Sequence, residues 1–135
     1  KKLEFSEECK QELSQMIGAV KEIVGLSYAS FTENDLEKAM LVEPLEQVID
    51  RLTAKIKSRH IARLQQGDCT IEMGFVLSDL ITNCERISDH CSNIAACVTE
   101  TANARFDMHR FIRNMKKDSE EFDAKYNEFL GKYSV

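Results

Sequence analysis

Two pairs of carboxylates have a spacing that could bind a metal ion. Glu46 and Asp50 are four residues apart, and so are Glu85 and Asp89. On an α-helix this spacing places both side chains of a pair on one face, about 6 Å apart. Two negative charges held there repel each other unless a cation lies between them, and hard divalent cations prefer carboxylate oxygens. Each pair therefore indicates either a metal site or a solvated acidic face.

The two pairs meet if the helices that carry them form a hairpin. Gly67-Asp68 predicts such a turn, with the glycine as C′ of one helix and the aspartate as N-cap of the next. In an antiparallel hairpin that turns here, Glu46 lies level with Asp89. Asp50 likewise lies level with Glu85. Helical rotation of about 100° per residue places all four carboxylates in one outer groove, partly exposed and outside the core.

Neighbouring polar side chains could support such a site or replace the metal. Asn93 lies one turn beyond Asp89 and could supply a carbonyl ligand. Arg86 could neutralise the carboxylates without a metal. His90 points about 100° away from Asp89 and is expected to be an exposed polar residue.

Four helices are predicted from apolar residues spaced three and four apart. The first spans about 6–26, and its apolar stripe is Cys9, Leu13, Met16, Val20 and Ile23. After a break over 27–32, a capping box at 32–35 starts the second, which continues to about residue 65. Its stripe is Leu41, Leu45, Val48, Leu52 and Ile56. Pro44 predicts either a kink in this helix or a start near Glu43.

The third and fourth helices complete the fold. The third has the longest stripe, namely Met73, Val76, Leu80, Cys84, Ile87, Cys91, Ile94 and Val98. Thr101-Ala102-Asn103 is expected to break the chain, and a fourth helix of about 104–133 follows with Phe111, Met115, Phe122, Tyr126, Phe129 and Tyr133. Short connections make neighbouring helices antiparallel. The sequence thus predicts one all-α domain over residues 1–135, an up-and-down helical bundle.

Composition excludes several classes of protein. A net charge of −5 lacks the basic field that nucleic-acid binding requires. No apolar run is long enough to span a membrane. The five cysteines are odd in number and form no Cys-x-x-Cys, which favours reduced thiols in a cytosolic chain. The start at Lys1-Lys2, without methionine, indicates a piece of a longer protein.

Two alternative metal sites fit less well. A zinc site made of Cys84, His90 and Cys91 is disfavoured because these side chains point in different directions around a helix. A di-iron oxidase in a four-helix bundle needs Glu-x-x-His on two helices. No glutamate lies three residues before His60, His90 or His109, so an enzyme is not expected.

Two stretches of the chain resemble the PhoU family. They are RLQQGDC over 63–69 and NCERISDHCSNIA over 83–95. The family's third-helix motif, Glu-Arg-(apolar)-(small)-Asp-His-x-x-Asn-Ile-Ala, occurs without a gap from Glu85 to Ala95, and its second-helix Glu-x-x-x-Asp corresponds to Glu46 and Asp50. The chain is most similar to the PhoU-type domain at the C-terminal end of bacterial sodium/phosphate cotransporter-like proteins. The resemblance covers about residues 5–100, and the fourth helix is similar to the tail that follows.

This resemblance implies a fold and a function. The fold is a three-helix bundle, here present once and extended by a fourth helix. Glu46, Asp50, Glu85 and Asp89 would bind iron, zinc, manganese or magnesium at the surface. The function would be non-enzymatic regulation of phosphate transport. The domain would lie in the cytoplasm, tethered at the inner face of the membrane. Its partner would be the membrane-embedded transporter portion of the same or a partner protein. The alternative is a metal-free helical module that binds a partner or a second copy of itself.

Overall fold

The computed structural model describes residues 5–103 and 108–135, and the side chains of 5–102 and 119–135. Within these ranges the chain forms four helices and no strand: α1 (Glu7–Thr32), α2 (Leu36–Gln65), α3 (Ile71–Asn103) and α4 (Met108–Lys132). The predicted all-α class is confirmed. The side chains of His109, Phe111 and Met115 lie outside the described residues. None of the described helices is long and apolar enough to cross a membrane.

Helix α1 extends beyond its predicted end. It begins as expected, because Ser6 caps it by accepting a hydrogen bond from the Cys9 amide at 3.1 Å. The break expected over 27–32 is wrong, since these residues are helical. Their polar groups are satisfied inside the bundle. Ser30 Oγ donates to the Ser27 carbonyl at 2.8 Å, and Ser27 Oγ donates to the Cys91 carbonyl of α3 at 3.4 Å.

Helix α2 starts at an aspartate cap that differs from the predicted capping box. The side chain of Asp35 accepts a hydrogen bond from the Lys38 amide at 3.2 Å. Thr32 is not the cap, because its hydroxyl donates back to the Tyr28 carbonyl within α1. The alternative start near Glu43 is also wrong. Pro44 lies inside the continuous helix and is buried, and the kink expected there stays a prediction.

In the turn between α2 and α3, the predicted role of Gly67 is confirmed and the predicted role of Asp68 is wrong. Gly67 is the C′ residue of α2 and has a φ of 80°, a conformation that glycine adopts without strain. Asp68 is not the N-cap of α3. That role belongs to Thr70, whose Oγ1 accepts from the Met73 amide at 3.2 Å. The break expected at 101–103 is wrong too, because Thr101 donates its hydroxyl to the Cys97 carbonyl and stays helical.

Contacts between side chains give the direction of each helix. Glu12 of α1 pairs with Arg59 of α2, and Glu8 pairs with Arg63. These contacts make the two helices antiparallel. Helices α2 and α3 are antiparallel as well, because Glu43 contacts Ser92 and Lys57 contacts Glu85. Because α1 and α3 are both antiparallel to α2, they run parallel to each other. Helix α1 also packs on α3, and α4 packs against α2. The core between them includes Val42, Leu45, Ile49, Phe129 and Tyr133.

The buried side of α3 differs from the predicted stripe. Met73, Cys91 and Val98 are buried as expected. Four other members of the predicted stripe are instead about two-fifths exposed: Val76, Leu80, Ile87 and Ile94. Their places in the core are taken by Leu77, Ile81, Ser88 and Ala95. Helix α3 carries two adjacent apolar stripes, and its packing against α1 and α2 buries only one of them.

Candidate functional site

The antiparallel pair of α2 and α3 brings three of the four predicted carboxylates together. One oxygen each from Glu46, Asp50 and Asp89 lies within 4.8 Å of the others. Asp50 and Asp89 are exposed, whereas Glu46 is only 9% exposed. The carboxylate cluster, as we call these three residues, is closed toward the core and open to solvent. An ion could therefore reach it without a rearrangement of the helices.

The fourth predicted carboxylate, Glu85, is engaged elsewhere. Lys57 Nζ lies 2.9 Å from Glu85 Oε1. The cation expected to compete for the acidic site, Arg86, is exposed and forms no ion pair among the described contacts. Glu85 nevertheless stays close enough for its charge to contribute to the raised pKa of Asp50. The structure thus places Glu85 at the edge of the cluster.

A fifth carboxylate, which the sequence analysis missed, also borders the cluster. Glu43 lies on α2 one turn before Glu46, and its Oε2 accepts a hydrogen bond from Ser92 Oγ at 2.6 Å. Its negative charge contributes to the raised pKa of both Glu46 and Asp50. Positions 43, 46 and 50 share one helical face, so the spacing of three and then four was the signal that could have identified it.

The electrostatics of the cluster favour uptake of a positive charge. The pKa of Glu46 is raised from 4.5 to about 8, first by burial, then by its hydrogen bond with Asp50 and by neighbouring negative charges, Asp89 among them. Burial also raises the pKa of Asp50. The hydrogen bond with Glu46 lowers it, and the charges of Asp89 and Glu85 raise it, so that the net shift is upward. Near neutral pH, Glu46 therefore keeps a proton that it shares with Asp50. A cation bound among the three carboxylates would reduce their mutual repulsion, as that proton does.

The remaining sequence-predicted residues lie outside the cluster. Asn93 and His90 are exposed, and neither forms a hydrogen bond among the described contacts. All five cysteines are free thiols. The disfavoured zinc site is not assembled, because Cys91 is buried, Cys84 half-buried and His90 exposed. Within the described residues, the carboxylate cluster is the one group of three or more potential ligands in mutual reach.

Comparisons with known proteins agree with the resemblance. A family profile described as "PhoU domain" matches residues 13–98, which is more than half of the chain. The chain is also 27% identical over 117 residues to the phosphate-specific transport system accessory protein PhoU homolog 1 of Thermotoga maritima. That alignment covers 87% of this chain and 50% of the relative, so the chain spans about half the length of the relative. No solved structure matches. On the strength of the profile match, which includes the whole carboxylate cluster, the chain belongs to the PhoU family.

Proposed function

We propose that the chain is a regulatory, non-enzymatic domain of a phosphate transport system and that it binds a metal ion at the carboxylate cluster. The transport part of this proposal is supported by family membership and by the relative, which is named as an accessory protein of such a system. The metal part depends on one observation. Three carboxylate oxygens of Glu46, Asp50 and Asp89 converge within 4.8 Å, and none of these residues has a cationic partner among the described contacts.

The spacing of these oxygens suits a metal ion. Metal–oxygen bonds are about 2.0–2.6 Å long, so two ligands of one ion are separated by up to about 5 Å. An all-oxygen donor set favours hard cations such as magnesium or manganese, and carboxylates also bind iron and zinc. Glu85 is available as a further ligand. Its ion pair with Lys57 is partly exposed on both sides, and such pairs contribute at most about 1 kcal/mol.

Metal binding would change how α2 and α3 are held together. Without metal, repulsion between Asp89 on α3 and the negative charge that remains on the protonated Glu46–Asp50 pair of α2 works against their close packing. With metal, the same residues attract a shared ion and tie the two helices. This difference gives the domain two states that it could transmit to a membrane-embedded transporter portion, of the same or a partner protein, at the cytoplasmic face. The fold that we propose for this role is an up-and-down three-helix unit over about 5–100, with α4 added.

A metal titration followed by thermal unfolding tests the binding step. Chelator-treated protein is titrated with magnesium, manganese, ferrous iron and zinc in turn. At a metal concentration one hundred times the Kd, the parent should gain about 2.7 kcal/mol of stability, seen as a rise in Tm of several degrees. The double variant Asp50→Asn/Asp89→Asn should show no rise. Asp79→Asn, which removes an exposed carboxylate of α3 outside the cluster, should respond like the parent.

The same titration separates this proposal from its alternative. An unchanged Tm of the parent with all four metals would contradict metal binding and favour a metal-free interaction module. The regulatory part needs a cellular measurement. Phosphate uptake is compared between cells that produce the parent domain and cells that produce the Asp50→Asn/Asp89→Asn variant at equal levels. Equal uptake in these cells and in cells without the domain would contradict a role in phosphate transport.

A further inference from the structure

A cavity at one end of the bundle is lined by two cysteines, a histidine and an arginine. It has a volume of about 220 Å³ and lies between the start of α1, the end of α2 and the turn that leads into α3. Cys9, His60, Arg63 and Cys69 all line it. We propose that a hydroperoxide oxidises Cys69 at this cavity and that Cys9 then forms a disulfide bond with it. Cys9 and Cys69 are called the thiol pair below.

Contacts with Arg63 bring the thiol pair to the same end of the molecule. Cys9 lies in the first turn of α1, where the neighbouring Glu8 pairs with Arg63 at 3.4 Å. The turn that carries Cys69 folds back on the same arginine, because the Asp68 amide donates to the Arg63 carbonyl at 2.9 Å. A charge on Cys69 contributes to the raised pKa of Cys9, so the two sulfur atoms are close enough to interact. Cys69 lies between α2 and α3 and can approach Cys9 without breaking a helix.

The contact with His60 makes Cys69 the member of the thiol pair that reacts first. Cys69 Sγ lies 3.6 Å from His60 Nδ1, and a histidine in contact with a thiol can take its proton and leave a nucleophilic sulfur. The Thr70 carbonyl is equally distant but is not basic enough to take the proton. Gly74 of α3 provides the space for the imidazole, because a Cβ atom there would lie only 2.8 Å from His60 Nε2.

The other cysteines do not share this environment. Burial raises the pKa of the Cys9, Cys84 and Cys91 thiols, which keeps them protonated and poorly reactive. Cys97 is exposed but has no histidine contact among the described side chains. Within the described residues, Cys69 therefore combines access to solvent with a proton acceptor, and Cys97 supplies a comparison in the same molecule.

The oxidation takes place in two balanced steps. In the first, Cys69 Sγ attacks the terminal oxygen of a hydroperoxide ROOH, so that an S–O bond forms and the O–O bond breaks. His60 takes the thiol proton and passes it to the leaving oxygen, which departs as ROH. In the second, the Cys9 sulfur attacks the resulting sulfenic acid, an S–S bond forms, and the hydroxyl group leaves with the Cys9 proton as water. The thiol pair loses two electrons in total, and the hydroperoxide gains them.

The thiol pair is remote from the carboxylate cluster. His60 and Glu46 are both on α2, and at 1.5 Å per residue they are separated by about 21 Å along its axis. A disulfide bond between Cys9 and Cys69 would tie the start of α1 to the turn before α3. Disulfides in intracellular proteins are usually transient and sense redox conditions, so the bond would give the domain a second regulatory input. This input does not depend on metal binding.

A time course of oxidation by hydrogen peroxide tests this inference on the reduced, complete chain in chelator. Free thiols are alkylated at intervals, and the products are followed by intact mass and peptide mapping. The parent should form a Cys9–Cys69 linked peptide within one chain, with the loss of two hydrogens. Cys69 should react about tenfold faster than Cys97. Cys9→Ala should stop at the sulfenic acid, which dimedone traps on Cys69, and Cys69→Ala should leave Cys9 as a free thiol.

Two further variants test the part played by His60. His60→Ala should slow the oxidation of Cys69 on the order of tenfold, because the proton acceptor is lost. Imidazole added to the solution should restore part of the rate, which a purely structural role of the side chain would not allow. Gly74→Ala displaces the ring and should slow the reaction as well. Gly25→Ala is the matched control, because a Cβ atom at this helical glycine meets nothing within 4 Å.

Circular dichroism shows whether each variant keeps its helices. Equal rates for Cys69 and Cys97 in the parent would overturn the inference, and so would the absence of the Cys9–Cys69 linked peptide. Oxidation of Cys69 at the parent rate in a folded His60→Ala variant would overturn the role of the histidine. All rates are measured without metal, so a failure of metal binding at the carboxylate cluster leaves this result unaffected.

Discussion

Lys57 Nζ lies 2.9 Å from Glu85 Oε1 and links α2 to α3 at the edge of the carboxylate cluster. The pair has two opposing consequences for a cation in the cluster. It occupies a carboxylate that could otherwise be a ligand, and it places a positive charge beside the site. Because both side chains are at least one-third exposed, solvent screens the pair and it can open at little cost. Lys57 is therefore the residue whose removal should strengthen metal binding.

Replacing Lys57 by alanine is expected to lower the metal Kd. The substitution releases Glu85 and removes a repulsive charge, and we expect the Kd to fall about three- to tenfold, or about 0.7–1.4 kcal/mol. Isothermal titration with manganese measures the change. Lys55→Ala, another exposed lysine of α2, is the control and should bind like the parent. A Kd that rises in Lys57→Ala would mean that the ion pair helps to form the site.

The raised pKa of Glu46 predicts how stability depends on pH in the absence of metal. Its folded-state pKa of about 8 lies above the ordinary value of 4.5, so the native state holds an extra proton between these pH values. The free energy of unfolding therefore falls as pH rises through this window and levels off above it. Glu46→Gln should reduce this decline, to which Asp50 also contributes, and should be more stable than the parent at alkaline pH, on the order of 1 kcal/mol after solvent screening.

Urea unfolding in chelator, repeated from about pH 5 to 9, checks this dependence. Glu7→Gln changes an exposed glutamate at the start of α1 and should follow the parent at every pH. If the curves of Glu46→Gln and of the parent are parallel, the shared proton does not exist.

The affinity for metal should rise with pH, whereas the free energy of unfolding without metal falls. A cation can occupy the cluster only if the proton held by Glu46 is released, because protonated carboxyl groups are poor ligands. Below the pKa of about 8, the apparent affinity should rise by up to tenfold for each pH unit. Titrations at several pH values, in buffers of different ionisation enthalpy, report the number of protons released. Release of no proton would contradict the assignment of Glu46 as a ligand.

The sequence predicted the helices better than their ends. Apolar spacing identified all four helices because long amphipathic segments carry a strong periodic signal. Ser27 and Ser30 were interpreted as part of a break because serine favours caps and turns. In the fold their hydroxyls find acceptors in α1 and α3, and only tertiary packing supplies the Cys91 carbonyl. The exposed stripe of α3 was mistaken for core for the same reason, since sequence alone does not decide which of two apolar stripes meets α1.

The sequence predicted which carboxylates lie at the same height along α2 and α3, because the hairpin register determines this, but it did not predict their partners. The turn at Gly67 placed Glu46 level with Asp89 and Asp50 level with Glu85. Of these four residues, Glu46, Asp50 and Asp89 are in mutual reach. Glu85 belongs to the same predicted register, but its carboxylate forms an ion pair with Lys57. That partner is 28 residues away in the chain, and no local pattern connects the two. Long side chains on adjacent helices choose among several partners, and this choice depends on rotamers that periodicity does not specify.

Ser88 is a polar residue in the core whose removal should stabilise the protein. It is fully buried, and its Oγ has no hydrogen-bond partner in the described structure. An unsatisfied buried hydroxyl costs about 1–3 kcal/mol, so Ser88→Ala should raise the free energy of unfolding by about 1 kcal/mol. Ser27→Ala is the matched comparison. Ser27 is equally buried but donates to Cys91, and its removal should destabilise. Urea unfolding that shows the same sign for both would contradict this distinction.

A buried ion pair between α1 and α2 should be the most sensitive charged contact among the side chains that the structure describes. Glu12 Oε1 lies 2.9 Å from Arg63 Nη2, and the side chains are only 3% and 10% exposed. Removing Glu12 leaves the buried Arg63 with only the more distant, exposed carboxylate of Glu8, and loss of a buried ion-pair partner costs about 3–5 kcal/mol. Glu12→Ala should therefore lower the urea midpoint strongly. Glu8→Ala is the control, because Glu8 contacts the same arginine at 3.4 Å from an exposed position, where ion pairs contribute at most about 1 kcal/mol. Equal losses in both variants would show that burial does not set the strength of this contact.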